Sequence, residues 1–426
     1  MAAVLVTSSP NNSNNLNGAD RSLVRTSAGI PYVFITESNL SSVSVYKGNG
    51  TSPTSFSKVA SASIASTSSF SCAIDSNDII HATYYYSSGK FSALYYVTFD
   101  PSTDSFSSET SIQDIGANTP SNPGTAISVD SNNIPHVAWV DSNNNMGTAY
   151  DTVYYTNKVG GSWNTAVEVY GVSNTYNCAN PSIAIDKNNL PFICLYGSRT
   201  SPSSVQNTFY FIGNVNNSTS FTSNSTSTST YDAVIKSICV DSNGNHYTAL
   251  LGPNDPASIY IKKHNYSDSW STWSTTYSAT SSAEGTSNTQ KVALVADGTD
   301  IYVFYEHSDN TIRYSVFNGS TWDSNDNTLE SGASYNSVRA KWAFWVDRDS
   351  TGADVGEHQT TNSRTEFDYV FVDETSSPDI WWNTLALSSD VTKALTGTAV
   401  SLSQGSLFAT LSKAISTQLI TLSAGS

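Results

Sequence analysis

Short runs of alternating apolar and polar residues, separated by Gly, Pro, Asn, Asp and Ser, fill most of this chain. Period-two alternation over such lengths predicts half-buried β-strands rather than amphipathic helices. The runs recur in a fixed order. An apolar strand ends in Asp at Ala73-Ile74-Asp75, Ser128-Val129-Asp130, Ala184-Ile185-Asp186, Cys239-Val240-Asp241, Val295-Ala296-Asp297 and Trp345-Val346-Asp347. Successive Asp positions differ by 55, 56, 55, 56 and 50 residues. Four of the six continue as Asp-Ser-Asn or Asp-Lys-Asn, side chains that bond their own backbone and tolerate left-handed conformations in tight hairpins. A second strand then opens at His81, His136, Phe192, His246 or Tyr302. A third carries Tyr96, Tyr155, Tyr210, Tyr260 or Tyr314, and a fourth carries Phe106, Trp163, Phe221, Trp270 or Trp322.

Four short antiparallel strands repeated at this period predict an all-β, seven-bladed β-propeller. The physical reason is that one four-stranded sheet cannot bury both faces alone, whereas sheets stacked face to face around an axis bury nearly all of them. Five complete copies run from about Ser71 to Thr328, and a further copy precedes them, from Val24 through Phe34 to Tyr46 and Phe56. The last copy is irregular. It runs from Asp347 through a long polar stretch to Phe367–Val372 and Asp379–Trp382, without an obvious fourth strand. The orphan strand Ala2–Val6 is expected to supply it, closing the ring and removing the open edges. A misread last copy would make the count six or eight. The expected organisation is therefore an N-terminal segment over 1–21, a propeller over 22–385 and a short C-terminal β tail over 386–426. In that tail Lys393–Ser406 and Lys413–Ser426 line up as two copies of one unit. So short a segment is expected to pack on another chain or on the propeller.

Composition sharpens the picture. Only 13% of residues are charged, 12% are aromatic, and Ala/Glu/Lys/Leu-rich stretches are nearly absent, which excludes a helical bundle. The formal net charge of −16 repels phosphate backbones, so nucleic acid is not an expected partner. No apolar run reaches membrane-helix length, so no membrane partner is expected either. The opening residues lack the basic region of a signal peptide. Of the four cysteines, Cys72 and Cys239 fall in equivalent strands and read as buried small hydrophobes. Cys178 and Cys194 lie within one repeat, where sequence leaves their pairing open.

The unit apolar-Asp-Ser-Asn-Asn-x-Pro-His-Val, then Tyr-Tyr, then Gly-Gly-Ser-Trp, resembles sialidase-like and related bacterial and phage propeller repeats over roughly residues 20 to 385. Asn318-Gly319-Ser320-Thr321-Trp322 is similar to the tail of the Asp-box of those families, without its leading half. The Ala394–Ser406 unit looks like the small repeats that end tailed-phage structural proteins. With the missing leader, these resemblances imply a non-enzymatic virion protein of tail-fibre, receptor-binding or decoration type. It would be exposed and oligomeric on the particle, held to other virion proteins by its tail, with the propeller displayed towards host-surface glycan.

Sialidases grip a carboxylate with three Arg, and here only Arg25 and Arg339 fall near inner-strand positions, so that activity is not expected. A polysaccharide-acting glycoside hydrolase of sialidase-like fold needs two carboxylates facing one cleft. The connections between second and third strands carry Glu37, Asp141, Asp151, Asp255, Glu306, Asp309, Asp373, Glu374 and Asp379, most of them expected to be solvated rim charges. The repeated Asp residues are expected to be turn formers, and His81, His136 and His246 to be core residues with a polar tip. Asp347, Asp349 and Asp354 form the one stretch with Ca²⁺-like flavour, without EF-hand spacing, so no cofactor is expected. Aromatic faces suit the apolar side of a pyranose, and nearby carboxylates or amides suit its hydroxyls. The glycan-binding candidates are therefore Tyr86, Trp139, Asp141, Tyr305, Glu306 and Asp373. No residue is assigned to catalysis, with the hydrolase and a free bacterial lectin as the alternative readings.

Overall fold

In a computed structural model of the chain, residues 1–385 and 386–426 fall into separate units. The structure describes residues 3–386, except segments 9–20, 37–41, 64–66, 88–91, 117–123, 144–149, 171–175, 200–205, 214–220, 228–236, 252–258, 267–276, 279–291, 332–340, 345–365 and 374–378 and positions 187, 308, 310, 324 and 325. The duplicated tail expected over 386–426 lies outside the described residues from 387 onward, as do Asp347, Asp349 and Asp354.

Every regular element among the described residues is a strand. Arg21–Arg25, Pro31–Thr36, Ser42–Gly48 and Phe56–Ser63 pair in that order, and the antiparallel four-strand unit repeats along the chain. Faces are covered by neighbouring units. Tyr32, Phe34, Val43 and Val45 of the first unit pack with Phe70, Cys72, Ile80 and Tyr84 of the second. Ala73, Tyr85 and Tyr96 pack with Ile127, Val137 and Trp139 of the third. Val140, Tyr155 and Val169 meet Ile183, Ile193 and Leu195 of the fourth. Fully buried strands such as Pro31–Thr36 follow from this stacking. The arrangement is a β-propeller.

The strands form six sheets, where the repeat count predicts seven blades. The difference arises at the seam. Lys341–Phe344 pairs in parallel with Arg21–Arg25, so the first and last units share one eight-stranded sheet instead of forming two. The outer edge of that sheet is Val4–Ser8, antiparallel to Asp379–Ala386 through Val4–Trp382 and Ser8–Asp379. Arg25 fastens the seam from within. Its side chain is 1% exposed, and its guanidinium makes a two-pronged ion pair with fully buried Asp368 of Glu366–Asp373. It also donates to the carbonyls of Gly29 and Thr51, each at 2.5 Å, and lies 5.8 Å from the Trp382 ring centre.

The repeated Asp residues form turns, and they do more than that. Oδ1 of Asp75 accepts from the amides of Asn77 and Ile79, both at 2.8 Å, and Asp130, Asp186 and Asp241 repeat the pattern. Asp78, Asn133 and Asn189 occupy the left-handed position of their turns, at φ of 61°, 62° and 62°. Each also reaches the preceding unit. The Ser27 amide donates to Asp78 at 2.7 Å, the Ser76 amide to Asn133 at 3.0 Å and the Ser131 amide to Asn189 at 3.1 Å. The Ser242 amide donates to the Gly298 carbonyl at 2.8 Å. One face of the propeller is thus stitched turn to turn.

Three histidines sit just inside these turns. Nε2 of His81 lies 3.3 Å from Asp75, and its Nδ1 lies 2.6 Å from the Tyr96 hydroxyl. His136 repeats this with Asp130 at 3.5 Å and Tyr155 at 2.7 Å. His246 instead faces Asp186 of the preceding unit at 3.7 Å, because Phe192 fills the equivalent place there. Cys72, Cys194 and Cys239 are buried and form no disulfide, so Cys194 is not bridged to Cys178.

Candidate functional site at the hairpin face

Because the first-to-second turns are joined on one face, the second strands all finish at the opposite face. The connections to the third strands span four to seven residues there. All but Trp139, which lies mid-strand in Pro135–Asn143, fall towards that end, and the six candidates are spread over four sheets in different environments. Tyr86, in Ile80–Ser87, is half-buried, with its ring 6.1 Å from Tyr95, which in turn stacks on Tyr84 at 5.6 Å. Asp141 is half-buried and pairs in register with Thr152. Trp139 has no exposed surface and stacks on Tyr154 at 5.8 Å. Tyr305 also has none and packs against Tyr247, Ile259 and Ile261 of the fifth unit. Neither ring offers a face to a sugar. They are core residues, and alternation alone does not distinguish a core ring from one at the rim.

Glu306 and Asp373 lie at the ends of strands in neighbouring units. Glu306 is the last residue of Asp300–Glu306, and Asp373 the last of Glu366–Asp373 in the next unit. Ring contacts between Tyr302 and Phe367 at 5.1 Å, and between Phe304 and Tyr369 at 6.2 Å, keep these two strands in step. Two residues on, that step sets Glu306 beside Phe371, with Asp373 one pleat further towards the rim. Glu306 is 1% exposed and Asp373 half-buried.

A second glutamate shares the row. Glu306 pairs with Ile312, and Ile312 pairs with Glu330. Residues directly opposite one another in a sheet project to the same side, so Glu306, Ile312 and Glu330 line one face of the last rung before the rim. Each is the terminal residue of its strand. Two strand spacings put the glutamate Cα atoms about 9.5 Å apart. Glu330 is held from the neighbouring sheet: the Tyr369 hydroxyl and the Asn383 amide both donate to its Oε1, each at 2.6 Å. Among the described residues nothing bonds its Oε2.

The hairpin beyond this rung is rich in charge. Arg313 donates through one arm to Asp309 and through the other to Asp326 at 2.7 Å, while His307 Nδ1 lies 2.7 Å from Asp309. Burial pushes the Asp309 carboxyl up, but Thr311, His307 and Arg313 outweigh it and hold it well below the usual aspartate range. Arg313 is thereby occupied by two carboxylates of its own chain. Asp309 is the only member of this cluster that sequence reasoning singled out. Arg313 was missed because it lies on a third strand, although its cross-strand pairing with Tyr305 follows from the five-residue connection. Among the described residues no group of three or more His, Cys, Asp or Glu is placed to hold a metal ion.

No protein-family model and no curated protein matches the sequence. Solved structures match it in fold. A polysaccharide lyase of family PL25, an ulvan lyase solved bound to -[GlcA(1-4)Rha3S]-, superposes with a TM-score of 0.57 at 11% identity, covering 90% of this chain and 96% of that one. The BP39L lectin from Burkholderia pseudomallei gives 0.57 at 12% identity, over 87% of this chain and all of the lectin. An α-L-arabinanase from Penicillium chrysogenum, complexed with arabinobiose, gives 0.51 at 11% identity, over 74% and 98%. Identities this low establish the fold alone. It is the fold of carbohydrate-acting enzymes and a lectin.

That finding corrects the expectation of a non-enzymatic phage virion protein. The phage, virion, tail-fibre and Asp-box readings rested on a degenerate turn motif and a short repeat outside the described residues. Among the solved structures that superpose on the chain are instead polysaccharide lyases, an α-L-arabinofuranosidase, an α-L-arabinanase and a lectin. The non-enzymatic assignment is withdrawn with it.

Proposed function

We propose that the protein is a polysaccharide-acting glycoside hydrolase whose site lies on the hairpin face, between the sixth unit and the strand Glu366–Asp373. The observation that carries the reading is the final rung of the sixth sheet, which presents Glu306 and Glu330 on one side. Glycoside hydrolysis asks for two carboxyl groups flanking the scissile bond, and little else is required of the protein. The carbohydrate-acting propellers of similar fold support placing that chemistry on this scaffold. The remaining half-buried groups at this end, Tyr86, Asp141 and Asp373, are assigned to sugar contacts along the rim.

Elimination is the less favoured chemistry. A lyase must neutralise a uronate carboxylate beside the proton it abstracts, and Arg313 has both arms committed to Asp309 and Asp326. The test is incubation of the protein with a panel of neutral and acidic polysaccharides. Release of reducing ends without ultraviolet absorbance from an unsaturated uronate is expected. Unsaturated products would identify a lyase, and binding without any cleavage would identify a lectin, the reading favoured by the match that covers the whole Burkholderia lectin.

A further inference from the structure

Resting on the hydrolase reading, we propose that Glu330 is the general base and Glu306 the general acid of an inverting reaction, with Tyr369 and Asn383 as positioning residues. Separation is the first argument. The two glutamates stand on strands two apart, with Cα atoms about 9.5 Å from one another. Equal-length side chains projecting to the same side keep the carboxyl groups near that distance. Inverting enzymes use about 6.5–9.5 Å, which leaves room for a water beneath the sugar, whereas retaining enzymes use about 5–5.5 Å.

The division of roles follows from the hydrogen bonds. Glu330 Oε1 accepts from the Tyr369 hydroxyl and from the Asn383 amide, both at 2.6 Å. Both donors meet one oxygen, which leaves Oε2 directed elsewhere to receive a proton. Asn383 is itself buried, at 4% exposure, and Tyr369 at 2%, so this orientation is fixed by the neighbouring sheet and not by solvent. Glu306 lies in the same row, two residues beyond Phe304, whose ring contacts Tyr369; it is 1% exposed, so it meets a glycosidic oxygen only where the substrate displaces what covers it. In the reaction, Glu330 takes one proton from a water whose oxygen bonds to the anomeric carbon. The bond from that carbon to the glycosidic oxygen breaks as Glu306 delivers its proton to the leaving oxygen. The products are two hydroxyl-terminated sugars. Glu330 ends protonated and Glu306 ionised, and exchange with solvent restores both.

The deciding experiment is proton NMR of the first products released by the unaltered protein from a polysaccharide it cleaves. Inverted anomeric configuration at the new reducing end is expected, and retained configuration overturns the assignment while leaving the hydrolase reading intact. If no member of the panel is cleaved, the hydrolase reading itself fails. Two variants then separate the roles, each checked for an unchanged melting transition. Glu306→Gln should lose roughly 10²–10⁴-fold on the polysaccharide but recover on aryl glycosides whose leaving group needs no proton, whereas Glu330→Gln should lose as much on both. Equal behaviour of the two variants overturns the division of labour. Tyr369→Phe should lower kcat and shift the acid limb of its pH profile with little change in KM. A change in KM alone would overturn its positioning role.

Discussion

The buried pair between Arg25 and Asp368 offers a quantitative test of how the propeller is closed. Arg25→Met removes the guanidinium while preserving most of its volume and its contact with Trp382. It leaves Asp368, which has no exposed side-chain surface, without its cation in a low-dielectric seam. Breaking a buried pair from one side costs about 3–5 kcal/mol, because the surviving charge keeps its desolvation penalty. The carbonyls of Gly29 and Thr51 lose their donors as well, which places Arg25→Met at the upper end of that range. Asp368→Asn should cost less, since Arg25 keeps both carbonyls and an amide oxygen. The propeller unit ends at Leu385. With an unfolding entropy of about 2 cal/mol/K per residue, 3–5 kcal/mol corresponds to about 4–6 °C in Tm. Differential scanning calorimetry of Arg25→Met, of Asp368→Leu and of Arg25→Met/Asp368→Leu gives a thermodynamic cycle. The double variant should recover most of the loss, because an apolar pair of similar volume removes both desolvation penalties. If the single variants melt like the parent protein, or if the double variant loses the sum of the two, the seam is not held in this way.

Three further outcomes follow from particular contacts. Burial alone would raise the Asp75 and Asp130 carboxyls, but His81 or His136 and the turn amides outweigh it and hold both below the ordinary value of 3.8. A depressed folded-state pKa stabilises the fold above the unfolded value and is lost as pH falls through the folded value, so this contribution vanishes only below about pH 4. Acid titration followed by tyrosine and tryptophan fluorescence should show a shallower fall below that pH for Asp75→Asn/Asp130→Asn than for the parent. Asn133 combines a φ of 62° with bonds to Ser76 at 3.0 and 2.5 Å. Asn133→Gly should therefore cost about 1–2 kcal/mol for the lost bonds, and Asn133→Ala a further 1 kcal/mol or so for left-handed strain, both read from urea midpoints. Trp139→Ala should cost about 3–5 kcal/mol in stability by the same assay, while glycan affinity measured by calorimetry stays as in the parent protein.

Much of the architecture was readable because the constraints that create it are local. The Asp at each first hairpin must accept the amides two and four residues on, so Asp75, Asp130, Asp186 and Asp241 announce their turns at a regular spacing. The core role of His81 and His136 could be read from their replacement by Phe192 at the same place in another unit. What escaped depends on contacts between units. Asp368 lies 343 residues from Arg25, and no periodicity links them. The fusion of first and last units into one sheet likewise comes from a parallel pairing between strands at the two ends of the chain, which no repeat count can anticipate. At the candidate site, Glu306 was visible as the end of an apolar strand. Glu330 was not, because its place in the row depends on the register shift between Ile312 and Arg313.

The two faces carry different obligations, and this explains where chemistry can be placed. On the turn face, five consecutive units join their first two strands by five residues each, and the Ser and Asn side chains of those turns grip their neighbours. Any insertion there would displace a left-handed residue that the adjoining unit also needs. On the hairpin face the connections joining the fourth strand of one unit to the first of the next vary instead, spanning three to thirteen residues. Length can vary on that face without unfastening the ring. A last rung that ends in Glu306 and Glu330 on a rigid sheet, beside connections free to differ, is the combination a glycan site needs: carboxyl groups held by the scaffold and a rim shaped by whatever sugar it meets.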